Sequence, residues 1–100
     1  MKWLTLDMIK KQLRIPLNYT AEDDVLELYG ESAEETVLEW CNRTYDDFLD
    51  KYDAIPKNIV HASLMLVDTS YQHRSPSSAQ NLSIVPYGNI DVLIKPYMIL

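Results

Sequence analysis

The chain has 100 residues, 47% of them hydrophobic, and nine Lys and Arg against fifteen Asp and Glu give a formal net charge of −6. That length supports one domain around one core. The acidic balance argues against a non-specific grip on nucleic acid, which cationic side chains make on phosphates, and equally against a grip on an anionic membrane surface. The lone Cys41 excludes an internal disulfide, suits folding in a reducing cytosol, and reads as a small buried apolar residue.

The opening stretch, MKWLTLDMIKKQLR, carries an early positive charge but no uninterrupted apolar segment and no small-residue cleavage site, so no export signal is expected. A first helix is expected from Thr5 as its cap through Arg14 or Ile15, with Asp7 in the first turn and Lys10, Lys11 and Arg14 near the end, as the helix dipole favours. Leu6, Ile9 and Leu13 form its apolar face, and Pro16 stops it. Asn18 to Thr20 turn the chain into a second and longest helix, from Ala21 to about Asn42, with Thr20 as its expected cap. Its apolar stripe is Val25, Leu26, Tyr29, Ala33, Val37 and Trp40, with Leu28 and Leu38 pointing away. Gly30 in its middle marks a close crossing or a bend, because glycine there costs about 1 kcal/mol of helix propensity.

Tyr45, Phe48, Leu49 and Tyr52 recur at three- and four-residue spacing and predict a short helix or turn folded over the core. The stretch Pro56 to Arg74 follows, with Pro56 suited to the first helical position. Val60, Leu64, Val67 and Tyr71 make one stripe, and Ile59, Ala62, Met65 and Leu66 extend the apolar surface around most of the circumference. Such a helix belongs inside a bundle. Its apolar run is too short for a bilayer, which requires roughly 20 residues.

Ser75, Pro76, Ser77 and Ser78 open the one long loop, about 74–88, whose composition fits a segment ordered by a partner. In the tail, Leu82 to Val85 and Ile90 to Ile94 around Pro-Tyr-Gly-Asn resemble a β-hairpin, while Asn89 equally suits the cap of a short helix ended by Pro96. The apolar end, Tyr97, Met98, Ile99 and Leu100, requires a groove on its own subunit or on a neighbour.

No catalytic, metal or cofactor site emerges from these residues. His61 and His73 lie twelve positions apart on one helix, about 18 Å along its axis, and cannot share a metal. The adjacent acids, including Glu34 and Glu35, face different directions and read as solvated surface. No nucleophile elbow, P-loop or CxxC occurs, so enzymatic activity is not expected. The second helix is the anomaly: eight of the fifteen acids lie between Glu22 and Glu39 with no Lys or Arg among them. Glu27, Glu31, Glu35 and Glu39 form a ladder of like charges, each pair costing roughly 0.2 to 0.5 kcal/mol in an isolated helix. Such a face keeps a protein soluble, meets a basic surface such as Lys10, Lys11 and Arg14 of another copy, or borders a passage that must not hold DNA.

Taken together, the chain resembles the small head-tail connector proteins of tailed bacteriophages and prophages, the ring-forming adaptors beneath the portal. The resemblance is carried first by Leu4-Thr5-Leu6-Asp7 with Ile9, Lys10, Leu13, Arg14 and Ile15, then by Asp23-Asp24, Leu26, Tyr29, Ala33, Glu34 and Arg43. Further on it rests on Pro56, Ile59, Ala62, Leu66, Val67, Tyr71 and Arg74, and in the tail on Pro86, Tyr87, Gly88, Leu93, Pro96 and Tyr97. It implies an all-α fold over residues 1–100: a compact bundle of three main helices with short helices and one long loop, the tail forming a helix from about Ile90 to Lys95. It also implies a ring of about a dozen copies without cofactors, a portal protein on one side and a stopper or tail-completion protein on the other. Phage DNA would pass through without sequence-specific binding, and the protein would reside in the virion neck after assembly from the host cytoplasm. Arg74, Ser75, Pro76 and Ser77 of the loop and Tyr97 to Leu100 of the tail are then the candidate partner contacts. Two departures bear on the interfaces: Met98 stands where a basic residue often follows the final Tyr, and Pro16 where an acidic residue is common. A different class of function, a monomeric acidic helical module that binds or regulates a basic phage partner, fits the same charge pattern without a ring.

Overall fold

The computed structural model describes residues 1–72 and 87–99, and among them every regular element is helical. Helix α1 (Leu6–Leu13) is capped by Thr5, whose Oγ1 accepts the Met8 N–H at 3.2 Å. It stops at Arg14, which adopts a left-handed conformation with φ 61°, while the Ile15 N–H donates back to the Lys10 carbonyl at 2.8 Å. Helix α2 (Asp23–Cys41) starts later than the expected Ala21, and its cap is Glu22 rather than Thr20. The reason is a turn: the Asp23 N–H bonds the Thr20 carbonyl, and the helical pattern begins only where the Leu26 N–H meets the Glu22 carbonyl. Helix α3 (Tyr45–Tyr52) resolves the expected short helix or turn as a helix, because Thr44 and Asp47 form a reciprocal capping box at 3.1 and 2.9 Å.

Helix α4 (Lys57–Gln72) follows Pro56, which precedes the helix instead of occupying its first position and accepts the Ile59 and Val60 N–H groups at its carbonyl. Helix α4 packs on α1, α2 and α5, so the placement of this stretch at the centre of the bundle holds. Its fully buried face is Ile59, Ala62, Ser63, Leu66 and Val67, whereas Val60, Leu64 and Tyr71 of the expected stripe are only half-buried. Helix α5 (Tyr87–Ile94) begins earlier than about Ile90 and runs into a 3₁₀ turn, Lys95–Tyr97, that contains Pro96. The hairpin alternative is therefore corrected over its described half: Ile90 and Ile94, four apart on one helical face, are both buried and close the core. The loop expected to contact partners at Arg74, Ser75, Pro76 and Ser77 lies outside the described residues.

The buried stripe of α2 is Leu26, Gly30, Ala33, Glu34, Val37 and Cys41. Val25 and Trp40, expected on it, are exposed, while Leu38, expected to point away, is half-buried against the core; Leu28 does face outward, 61% exposed. Gly30 marks a close approach, since a Cβ there would lie 2.3 Å from Met1 Sδ and 2.9 Å from Ile9 Cδ1. The chain before α1 thus crosses α2 at its one glycine.

Candidate functional site

That crossing is held by Glu34. Its carboxylate, 4% exposed, accepts three successive backbone N–H groups: Lys2 at 2.7 and 3.0 Å, Trp3 at 2.8 Å and Leu4 at 2.8 Å. Three donors converge on one acidic group, and charge-assisted bonds of this kind are about twice as strong as neutral ones. The strap of residues 1–4 is tied on its other side by Trp3, whose indole N–H donates to Ser63 Oγ at 3.0 Å, while that hydroxyl donates to the Ile59 carbonyl at 2.8 Å. Glu34 is therefore not the solvated surface acid that its pairing with Glu35 suggests. It has the structural task of joining the strap to α2, and its place on the stripe with Gly30, Ala33 and Val37 is the signal in the sequence that points inward.

Glu27, Glu31, Glu35 and Glu39 are all exposed along α2. The strap brings positive charge beside them: the Met1 amino group lies 3.9 Å from Glu31, and Lys2 projects over the Tyr45 ring at 5.2 Å from its centroid. The strap, the C-terminal half of α2 and the start of α3 enclose a shallow trough whose three connected parts all include Leu38. Its widest part, about 400 Å³, lies between Lys2, Glu35, Arg43 and Tyr45.

The three basic residues proposed from sequence do not stay together as one surface. Lys10 is 3% exposed and its ammonium sits 2.7 Å from Asp23 Oδ1 and 3.3 Å from the Leu17 carbonyl, so it fastens α1 to the start of α2 and is not available to a partner. Lys11 and Arg14 remain exposed. Beside them in sequence, Leu17 and Tyr19 of the α1–α2 turn are exposed as well, at 48% and 44%.

The tail docks on its own subunit. Tyr97 stands edge-on to Tyr52 with centroids 5.4 Å apart and 6.3 Å from Phe48, and the Arg43 guanidinium lies over the Phe48 and Tyr52 rings while its Nε donates to the Tyr97 carbonyl. Met98 packs against the core, and the Ile99 N–H donates to the Cys41 carbonyl at 2.8 Å, satisfying the end of α2. Of the two grooves the apolar end could take, on its own subunit or on a neighbour, Tyr97 and Met98 occupy the one within the chain, because aromatic burial is available there. Ile99 stays 43% exposed, and Leu100 lies outside the described residues. Cys41 is fully buried, and loss of water around it pushes the thiol up to about 11 despite the opposing charge of Arg43.

Among the described residues no three His, Cys, Asp or Glu side chains are grouped to hold a metal, and no helix is long and apolar enough to cross a membrane. What the surface offers is a charged trough, a basic and apolar turn, and an exposed acidic helix. Comparison with curated proteins and with solved structures gave no match. Residues 4–89, from the end of the strap into α5, match the family described as Phage gp6-like head-tail connector protein, and the chain belongs to that family.

Proposed function

We propose that this protein is a structural adaptor of the virion neck of a tailed phage or prophage, forming a ring of about a dozen copies below the portal. The observation that carries the reading is the family match over residues 4–89, which covers α1 to α4 in full and the start of α5. In this reading the portal protein binds one face of the ring and a stopper or tail-completion protein the other, and the genome passes through the middle without sequence-specific contact. The formal charge of −6 and the exposed carboxylates of α2 favour a surface that DNA slides past. The subunit folds in the host cytoplasm and resides in the virion after assembly.

Assembly and its loss provide the test. Light scattering of the purified chain should show a closed species of many 11.6 kDa subunits, and negative-stain images should show rings. Deleting its gene from the phage that carries it should yield filled heads without tails, restored by the chain supplied in trans. A chain that stays at 11.6 kDa across micromolar to millimolar concentration, and whose deletion leaves tailed particles, would refute the reading.

A further inference from the structure

The trough beside α2 and the turn between α1 and α2 differ in chemistry and lie at opposite ends of one helix. The trough has an apolar floor at Leu38 and an excess of acid on its walls: Glu31, Glu35, Glu39, Asp46 and Asp47 are all exposed. Against these five acids stand three cations, each engaged within the subunit: the Met1 amino group 3.9 Å from Glu31, Lys2 over Tyr45, and Arg43 with Tyr97 and the aromatic cluster. The turn is the converse, with Lys11 and Arg14 exposed and no partner for either among the described residues, next to the exposed side chains of Leu17 and Tyr19. Lys10 anchors this turn to Asp23 at the start of α2. From Asp23 to Leu38 is fifteen residues, about 22 Å along the helix axis.

We infer that the α1–α2 turn of one copy, through Lys11, Arg14, Leu17 and Tyr19, seats in the acidic trough around Leu38 of the next copy. The inference rests on the ring reading and names the contact that would build it. Two unlike patches on one subunit make a head-to-tail contact, and such a contact closes into a ring when the rotation per subunit permits. Charge complementarity selects the partner and the register: a second turn repels a turn, and a second trough repels a trough, so only the turn-to-trough pairing is favourable. The apolar pair, Leu17 and Tyr19, has the floor at Leu38 to cover. The like-charge ladder of α2 then has a reason to persist: Glu31 already faces the Met1 amino group of its own subunit, and Glu35 and Glu39 meet opposite charge once the neighbour is seated.

The experiment uses charge reversal in the full chain. One variant carries Lys11→Glu with Arg14→Glu, the other Glu35→Lys with Glu39→Lys. All four side chains are exposed, and circular dichroism should show the parent's helical signal in both. At about 0.15 M salt each variant alone should run as an 11.6 kDa monomer under conditions where the parent assembles, and a one-to-one mixture should recover the large species, with the two variants alternating. If the parent assembles and either variant still assembles alone, the inference is overturned while the ring reading stands. It is overturned in the same way if both variants fail and their mixture fails too. If the parent itself never assembles, the ring reading falls, and this contact with it.

Discussion

Replacing Glu34 isolates the energy that ties the strap to the bundle. The carboxylate serves three N–H donors, of which that of Leu4 is buried and those of Lys2 and Trp3 are part-buried. In Glu34→Ala the Leu4 donor loses its partner in a dry site, at about 1–3 kcal/mol, while the other two recover water at smaller cost. Loosening of the strap also exposes part of Leu4, 3% exposed in the parent, and fully exposing such a side chain costs about 1.5–3 kcal/mol. A net loss of about 3 kcal/mol follows, since the two contributions overlap. For a domain of this size that corresponds to a melting temperature lower by roughly 12 to 24 °C. Glu34→Gln should cost less, about 1–2 kcal/mol, because the amide oxygen can serve Trp3 and Leu4 while its NH₂ faces the Lys2 N–H, donor against donor. Urea unfolding followed at Trp3 in a Trp40→Phe background measures both, with Glu35→Gln, an exposed neighbour, as the control expected within about 0.5 kcal/mol of the parent. If Glu34→Ala and Glu34→Gln both matched that control, the carboxylate would not be holding the strap, and the reasoning from its bonds would be refuted.

Other expected outcomes follow from particular residues. Arg14→Gly should stabilise the isolated subunit by about 0.5–1 kcal/mol in denaturant titration, since glycine accepts the left-handed φ of 61° at no steric cost, while weakening self-association by removing a cation from the turn. Tyr97→Ala should cost about 2–3 kcal/mol by opening the ring cluster against Phe48 and Tyr52, read as a drop in the urea midpoint at unchanged slope. Burial raises the Cys41 thiol from its ordinary 9.0 to about 11, so its contribution to stability is complete below about pH 9 and is lost as pH rises toward 11. Cys41→Ala should flatten that alkaline decline, and a maleimide should label the native thiol only at the rate of local or global unfolding.

Local chemistry was sufficient for much of this architecture. Thr5 caps α1 as its hydroxyl and the following Asp7 indicate, Pro16 and Pro56 bound helices, and the apolar run after Pro56 belongs at the centre of the bundle because it has too much apolar surface to expose. The family was legible as well, in motifs spread from Leu4 to the tail. Direction and partnership were not. The rotational setting of α2, with Cys41 and Glu34 inside and Trp40 outside, depends on where the strap crosses Gly30, and the strap is some thirty residues away in sequence. Lys10 and Lys11 are indistinguishable as neighbours in a chain, yet one is buried on Asp23 and the other exposed, because only the packed position of α2 supplies a carboxylate to the first. The tail could pair as strands or wind as a helix until α4 offered Ile90 and Ile94 a common face to fill. Periodicity and capping act over four residues or fewer and so can be read along the chain, whereas burial of a charge or of one side of a helix is settled by groups that meet only after folding.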